Sequence, residues 1–144
     1  MSGNIALALD CSKYAPGDTD WNISMITASV RKAIESGCDI ICFPEACITG
    51  YSTENISTIN EGSDSIIALS ELSKDITIVA GGFERADKDF ITQYVFNDGR
   101  ITVHKLDENV RIQKILLILH RNAFLCYGRR NDGFRVASVS FHRH

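Results

Sequence analysis

The sequence lacks several features that would assign it to common classes of protein. None of its apolar runs approaches the ~20 residues that a transmembrane helix needs, and its N-terminus lacks the basic and apolar segments of a signal peptide. It contains no internal repeat and neither a Gly-x-Gly-x-x-Gly nor a Gly-Lys-Ser/Thr phosphate loop. These absences predict a cytoplasmic protein that does not interact with membranes.

Cysteine patterns suited to disulfides or to zinc are also missing. The five cysteines are an odd number, unlike a secreted disulfide framework, and their spacings do not form the Cys-x-x-Cys ligand pairs of a zinc site. We interpret Cys11, Cys38 and Cys42 as small buried apolar residues. The sequence therefore predicts no metal site and no bound cofactor.

Charge is unevenly distributed along the 144 residues, a length that suits one domain with a sizeable core. The formal net charge is −3. Residues 1–110 contain 8 Lys and Arg against 17 Asp and Glu, whereas residues 111–144 contain 7 against one. A basic nucleic-acid arm is one interpretation of the second segment. We disfavour it because the segment lacks regular glycine or aromatic spacing and the rest of the chain is acidic.

The apolar pattern predicts an α/β fold that starts with a strand, a helix and a strand, which form parallel strands with a right-handed crossover. Gly37 is expected to end the first helix, and Thr19 or Asp20 to cap its start. Gly81 and Gly82 are expected to turn the chain after the third strand. The remaining strands form a hairpin with a turn at Asn97-Asp98-Gly99. The predicted helices are 21–36 and 64–74, and the predicted strands are 4–10, 39–43, 76–80, 90–96 and 101–104.

The stretch from Asp39 to Ser52 carries the clearest indication of a functional site. The apolar run 40–43 stops at Pro44, so Glu45 lies where a buried strand ends. In α/β folds such positions hold reactive side chains, because the sheet fixes the side chain and the following loop leaves it accessible. A carboxylate there is partly desolvated, which raises its pKa towards the range useful to a general base. The alternative is a surface or helix-capping glutamate.

Several motifs in the right order resemble the nitrilase or carbon-nitrogen hydrolase superfamily. They are Glu35-Ser36-Gly37-Cys38-Asp39 before Phe43-Pro44-Glu45, then Thr49-Gly50-Tyr51, Ala80-Gly81-Gly82-Phe83-Glu84-Arg85, the hairpin 90–103, and Asn22 in the first helix. The resemblance covers residues 4–106. It implies the N-terminal portion of a four-layer α-β-β-α nitrilase-like sandwich.

The resemblance also implies hydrolysis of non-peptide carbon-nitrogen bonds in amides, nitriles or carbamoyl compounds by a Glu-Lys-Cys set. By position Glu45 is the general base and Lys105 stabilises the oxyanion. A solvated lysine is the alternative for Lys105, because Leu106-Asp107 departs from the family pattern. Cys126 is the candidate nucleophile, although the residues after it also depart from that pattern. We interpret Cys47 as structural.

These departures lead us to divide the chain into an incomplete nitrilase-like domain at 1–106 and a divergent basic tail at 107–144, which we hypothesise to be out of frame. Such a truncated chain would have impaired activity or none. The expected partner is a small amide or nitrile rather than a nucleic acid, and exposed strand surface favours a homo-oligomer. The alternatives are a non-catalytic fragment that only binds or oligomerises, and a small α/β module with a basic nucleic-acid arm.

Overall fold

One six-stranded sheet organises the part of the chain described by the computed structural model, which is residues 2–10, 12–51, 57–85, 89–106 and 134–142. The elements are β1 (Ser2–Asp10), α1 (Thr19–Glu35), β2 (Ile40–Cys42), α2 (Asp64–Leu72), β3 (Thr77–Arg85), β4 (Asp89–Asn97), β5 (Arg100–Leu106) and β6 (Phe134–His142). Across the sheet the order is β5-β4-β3-β2-β1-β6. The predicted α/β class is confirmed.

The centre of the sheet is parallel and its two sides are antiparallel. β2 pairs in parallel with β1 and β3, as the predicted strand-helix-strand unit requires. β4 pairs antiparallel with β3 and β5, and β6 pairs antiparallel with β1 along its whole length. β6 was not predicted, because the sequence near it shows no lasting strand period.

Both helices pack on one face of the sheet, which we call the helix face. The strand residues on that face stand in a row: Ala8, Ile41, Ile78, Phe96 and Ile101. Each helix adds residues at three- or four-residue steps to the same core cluster, and these are Ile26, Val30 and Ala33 of α1 with Ile66 and Leu69 of α2. The opposite face carries the row Leu9, Cys42, Val79 and Val95, which is only partly buried.

The ends of α1 follow from two residues with well-defined roles. Asp18, rather than the expected Thr19 or Asp20, is the N-cap, and its carboxylate accepts a hydrogen bond of 3.0 Å from the Trp21 amide. This contact satisfies one of the free amides at the start of the helix. Gly37 follows the C-terminus with φ of 71°, so the predicted stop at that residue is correct.

The prediction that Gly81 and Gly82 turn the chain is wrong, because β3 continues straight through them. Their lack of a side chain permits close packing instead. A Cβ on Gly81 would lie 3.0 Å from the backbone oxygen of Thr92, and a Cβ on Gly82 would lie 2.7 Å from the Ile59 side chain. The turn between β4 and β5 is where it was predicted, and Asp98 and Gly99 both have positive φ there.

Candidate functional site

Glu45 begins a tight turn, residues 45–49, that is fixed to β3. The amide of Ile48 donates to the Gly81 oxygen at 2.9 Å, and the amide of Phe43, just before the turn, donates to the Val79 oxygen at 2.9 Å. The turn includes Ala46 in the left-handed region, with φ of 49°. Glu45 therefore lies on a rigid support at the carboxyl ends of the parallel strands, as the sequence predicts.

The environment of Glu45 favours proton transfer. Its side chain is half-buried, and burial raises the pKa of the carboxyl group above its usual value. Tyr51 lies close enough that the Glu45 charge adds to the effect of burial, and both raise the pKa of the phenol. The Tyr51 ring packs edge-on against Phe83, with 5.8 Å between ring centroids. A half-buried carboxylate on a fixed turn is well suited to act as a general base.

A second loop supports the Glu45 turn through Asn22, whose side chain is fully buried. The side-chain oxygen of Asn22 accepts a hydrogen bond of 2.7 Å from the backbone amide of Ala15. The side-chain nitrogen donates to the backbone oxygens of Ala15 at 2.8 Å and of Ile48 at 3.2 Å. Gly17 adds a backbone bond of 2.9 Å to the Thr49 oxygen. The loops after β1 and β2 are thus joined into one unit.

Lys105 lies at the end of β5 on the helix face and pairs with Glu84. Its Nζ is 3.0 Å from Glu84 Oε1, and it also lies 5.6 Å from the centroid of the Phe90 ring. The other Glu84 oxygen accepts hydrogen bonds from Thr92 Oγ1 at 3.2 Å and from the Tyr94 hydroxyl at 3.4 Å. Sequence reasoning missed Glu84 as the partner of Lys105.

Glu45 and Lys105 lie at the same end of the sheet but do not form an ion pair with each other in the described residues. Gly82, Thr92 and Lys105 stand opposite one another on β3, β4 and β5. The backbone of Lys105 is therefore two strand spacings from β3, a distance of about 10 Å. The Glu45 turn binds β3 at the neighbouring Gly81. The roles assigned to Glu45 and Lys105 stay predictions.

Gln93 also adjoins the Glu45 turn. It pairs with Gly81 across β3 and β4, and its Oε1 is 3.2 Å from where a Gly81 Cβ would be. The residue is buried, and its Nε2 is a buried donor that has no hydrogen-bond partner among the described residues. Since buried donors are normally paired, an acceptor is expected at this place.

The cysteines that the structure describes are not activated nucleophiles. Cys47 is 1% exposed, and burial raises the pKa of its thiol to about 12. Burial raises the pKa of Cys42 to about 11, and it also raises that of Cys38. Thiols of this kind carry almost no reactive thiolate at neutral pH. Cys11 and Cys126 lie outside the described residues.

The described part of the chain holds neither a metal-binding cluster nor a membrane-spanning helix. There, no three His, Cys, Asp or Glu side chains lie close enough together to hold a metal ion. Neither α1 nor α2 is long and apolar enough to cross a bilayer.

Comparison with known proteins assigns the chain to a family. A model of the carbon-nitrogen hydrolase family matches residues 8–139, which is most of the chain. The chain therefore belongs to the carbon-nitrogen hydrolase family, as its motifs predict. The match extends past residue 106, and the domain boundary placed there stays a prediction. A comparison with curated protein sequences gives no match.

Solved structures show the same fold. A carbon-nitrogen hydrolase superfamily protein from Xanthomonas campestris, XC1258, has a TM-score of 0.67 and 14% identity, over 80% of this chain and 45% of that one. The glutamine-dependent NAD+ synthetase of Acinetobacter baumannii has a TM-score of 0.63 and 25% identity, over 78% and 23%. An amidase from Nesterenkonia has a TM-score of 0.58 and 20% identity, over 70% and 42%. This chain thus spans less than half the length of each.

Proposed function

We propose that the protein hydrolyses small amides, nitriles or carbamoyl compounds, and that this chain supplies the general base and the oxyanion-stabilising cation. The observation that carries the proposal is the half-buried Glu45, whose pKa is raised and whose turn is fixed to β3. Membership of the carbon-nitrogen hydrolase family supports the reaction class. The Nesterenkonia protein of the same fold is an amidase.

In the proposed reaction Glu45 takes the proton of a cysteine thiol, and the thiolate attacks the substrate carbon. The ammonium of Lys105 stabilises the negative charge that develops on the substrate oxygen. From an amide or a carbamoyl compound, ammonia or an amine then leaves with a proton returned by Glu45. With a nitrile the charge develops on nitrogen instead, and the resulting thioimidate takes up one water before ammonia leaves. A further water hydrolyses the thioester or thiocarbamate that remains. We place the nucleophile outside the described residues, because burial raises the pKa of the thiols of Cys38, Cys42 and Cys47. Cys126 is the candidate in this chain.

Ammonia release from a panel of simple amides, nitriles and carbamoyl compounds tests the proposal. We expect Glu45→Gln to lower kcat by about 10²–10⁴-fold, the usual contribution of a general base. Cys126→Ala tests the candidate nucleophile. Glu71→Gln is the matched control, because Glu71 is an exposed glutamate on α2 that pairs with Lys74. Wild-type turnover in Glu45→Gln would contradict the proposal. Since the chain spans less than half the length of its relatives, we expect its turnover to be impaired, and a folded protein that releases no ammonia from any compound of the panel would favour the non-catalytic alternative.

A second candidate function is binding or self-association without catalysis. The partly buried apolar row Leu9, Cys42, Val79 and Val95, on the face away from the helices, favours it. Under this proposal a second copy of the chain covers the row. A Val79→Lys variant that becomes monomeric by light scattering, while ammonia release is absent from the wild type, would support this candidate over the hydrolase.

A further inference from the structure

We propose that Glu84 is the positioning residue that holds Lys105 for oxyanion stabilisation, an inference that rests on the proposed function. The ion pair between Glu84 Oε1 and Lys105 Nζ is 3.0 Å long. The two residues lie on β3 and β5, so the pair reaches across β4, the strand between them. Glu84 acts through Lys105 and does not contact the reacting atoms.

Within the described part of the chain, Glu84 and the Phe90 ring are the contacts that restrain the Lys105 ammonium. Its side chain is 47% exposed, and a lysine side chain has four rotatable bonds. The Phe90 ring, 5.6 Å from Nζ, supplies a weaker contact to the ammonium. Without Glu84, Lys105 would sample many rotamers. Catalysis by a cation depends on its position, since a misplacement of about 1 Å can cost about 10²-fold in rate.

Glu84 can hold Lys105 because its own carboxylate is fixed. Only 13% of the Glu84 side chain is exposed, and Oε2 is bonded to the Thr92 and Tyr94 hydroxyls. Tyr94 is fully buried. Burial and the Glu84 charge hold the pKa of the Tyr94 phenol far above its usual value, so it stays a proton donor. Two β4 donors thus orient one oxygen of Glu84 and leave the other for Lys105.

This arrangement predicts a particular kinetic pattern. Because Lys105 acts on charge that develops in the transition state, Glu84→Gln should lower kcat by about 10–100-fold with KM nearly unchanged. Lys105→Ala should lower kcat by about 10²–10³-fold. The double variant should be no slower than Lys105→Ala alone, because Glu84 has no effect without the lysine. A glutamate that merely stabilises the fold would instead give additive losses.

A second measurement does not depend on activity. In lysine-labelled protein, the ring current of Phe90 should shift the Lys105 Cε protons upfield in the NMR spectrum, and Phe90→Leu assigns the signal by abolishing the shift. Glu84→Gln should move the signal to the position of a free lysine. Lys74 is the matched control, since its pair with Glu71 is exposed, and Glu71→Gln should leave the Lys105 signal unchanged.

The two measurements separate the possible failures. An unchanged Lys105 signal in Glu84→Gln overturns the positioning role, whatever the activity. A changed signal with wild-type kcat, or additive losses in the double variant, overturns it as well. If the folded wild type releases no ammonia, the proposed function fails, and the NMR signal alone decides whether Glu84 fixes Lys105.

Discussion

Replacing Asn22 with alanine should destabilise the protein strongly, because one fully buried side chain joins two loops. The change removes three hydrogen bonds, two to Ala15 and one to the Ile48 oxygen. At about 0.5–1.5 kcal/mol for each bond, the expected loss is about 2–4 kcal/mol. That is a large part of the ~5–15 kcal/mol by which a typical domain is stable.

Urea unfolding measures the effect. With a slope of about 1–3 kcal/mol/M, the midpoint should fall by about 1–2 M while the slope stays the same. Asn97→Ala is the matched control, because Asn97 is exposed and its side-chain bond of 2.6 Å to Thr77 lies at the surface. Its loss should be within about 0.5 kcal/mol.

Hydrogen exchange gives the local version of the same prediction. The Ala15 amide donates to the Asn22 side chain, so it should exchange much faster in Asn22→Ala. The Phe43 amide, which donates to the Val79 oxygen, should keep its relative protection. Unfolding of Asn22→Ala within about 0.5 kcal/mol of the wild type, or unchanged exchange at Ala15, would refute the reasoning.

Three further predictions concern single residues. Gly37 and Gly50 share a φ of 71°, but only a Cβ on Gly50 would meet backbone, at 2.2 Å from the Ala15 oxygen. Gly50→Ala should therefore lose much more stability than Gly37→Ala, as measured by thermal unfolding. Burial raises the pKa of Cys47 from an ordinary 9.0 to about 12, so between these pH values the thiol ionises only in the unfolded chain and the stability of the fold decreases. Cys47→Ala should reduce this decrease in urea unfolding at alkaline pH. The raised pKa of Glu45 should place the acidic limb of kcat/KM above pH 4.5, and a limb below that value would contradict its role as base.

Local patterns were enough to predict most of the central sheet and its helices. The three- and four-residue spacing of apolar residues predicts α1, and the short apolar runs predict β1 and β2, because these elements depend on neighbours in the chain. β6 was not predicted because the sequence near it shows no lasting strand period, and the pairing that stabilises it is with β1 at the other end of the sequence. The boundary error in β3 had a different cause. Gly81 and Gly82 are equally suited to turns and to close packing, and only the neighbours Thr92 and Ile59 decide between them.

The site was predictable to the extent that it depends on chain order. Glu45 follows a buried run, so its place at a strand end can be predicted from the sequence alone. The partner of Lys105 cannot, because the Glu84 ion pair depends on the registers of two successive strand pairs, and a shift of one residue would send the side chains to opposite faces. Side chains alternate between the two faces along β3, so Ala80, Gly82 and Glu84 lie on one face. This alternation could have predicted the face of the sheet on which Glu84 lies, although not its partner.

The glycine pair at 81 and 82 lies between the two parts of the candidate site, the Glu45 turn and Lys105, at the same end of the sheet. On one side the Glu45 turn binds the Gly81 oxygen through the Ile48 amide. On the other, Gly82 stands opposite Thr92, which stands opposite Lys105. A Cβ on Gly81 would press on the Thr92 oxygen of β4 and on the Ala46 amide of the turn, whereas a Cβ on Gly82 would press on Ile59 and on Thr49 at the end of the turn. A strand that can be approached closely at these two residues therefore joins the Glu45 turn to the strands that carry Lys105. Under the proposed function, substitutions at either glycine should affect catalysis as well as stability.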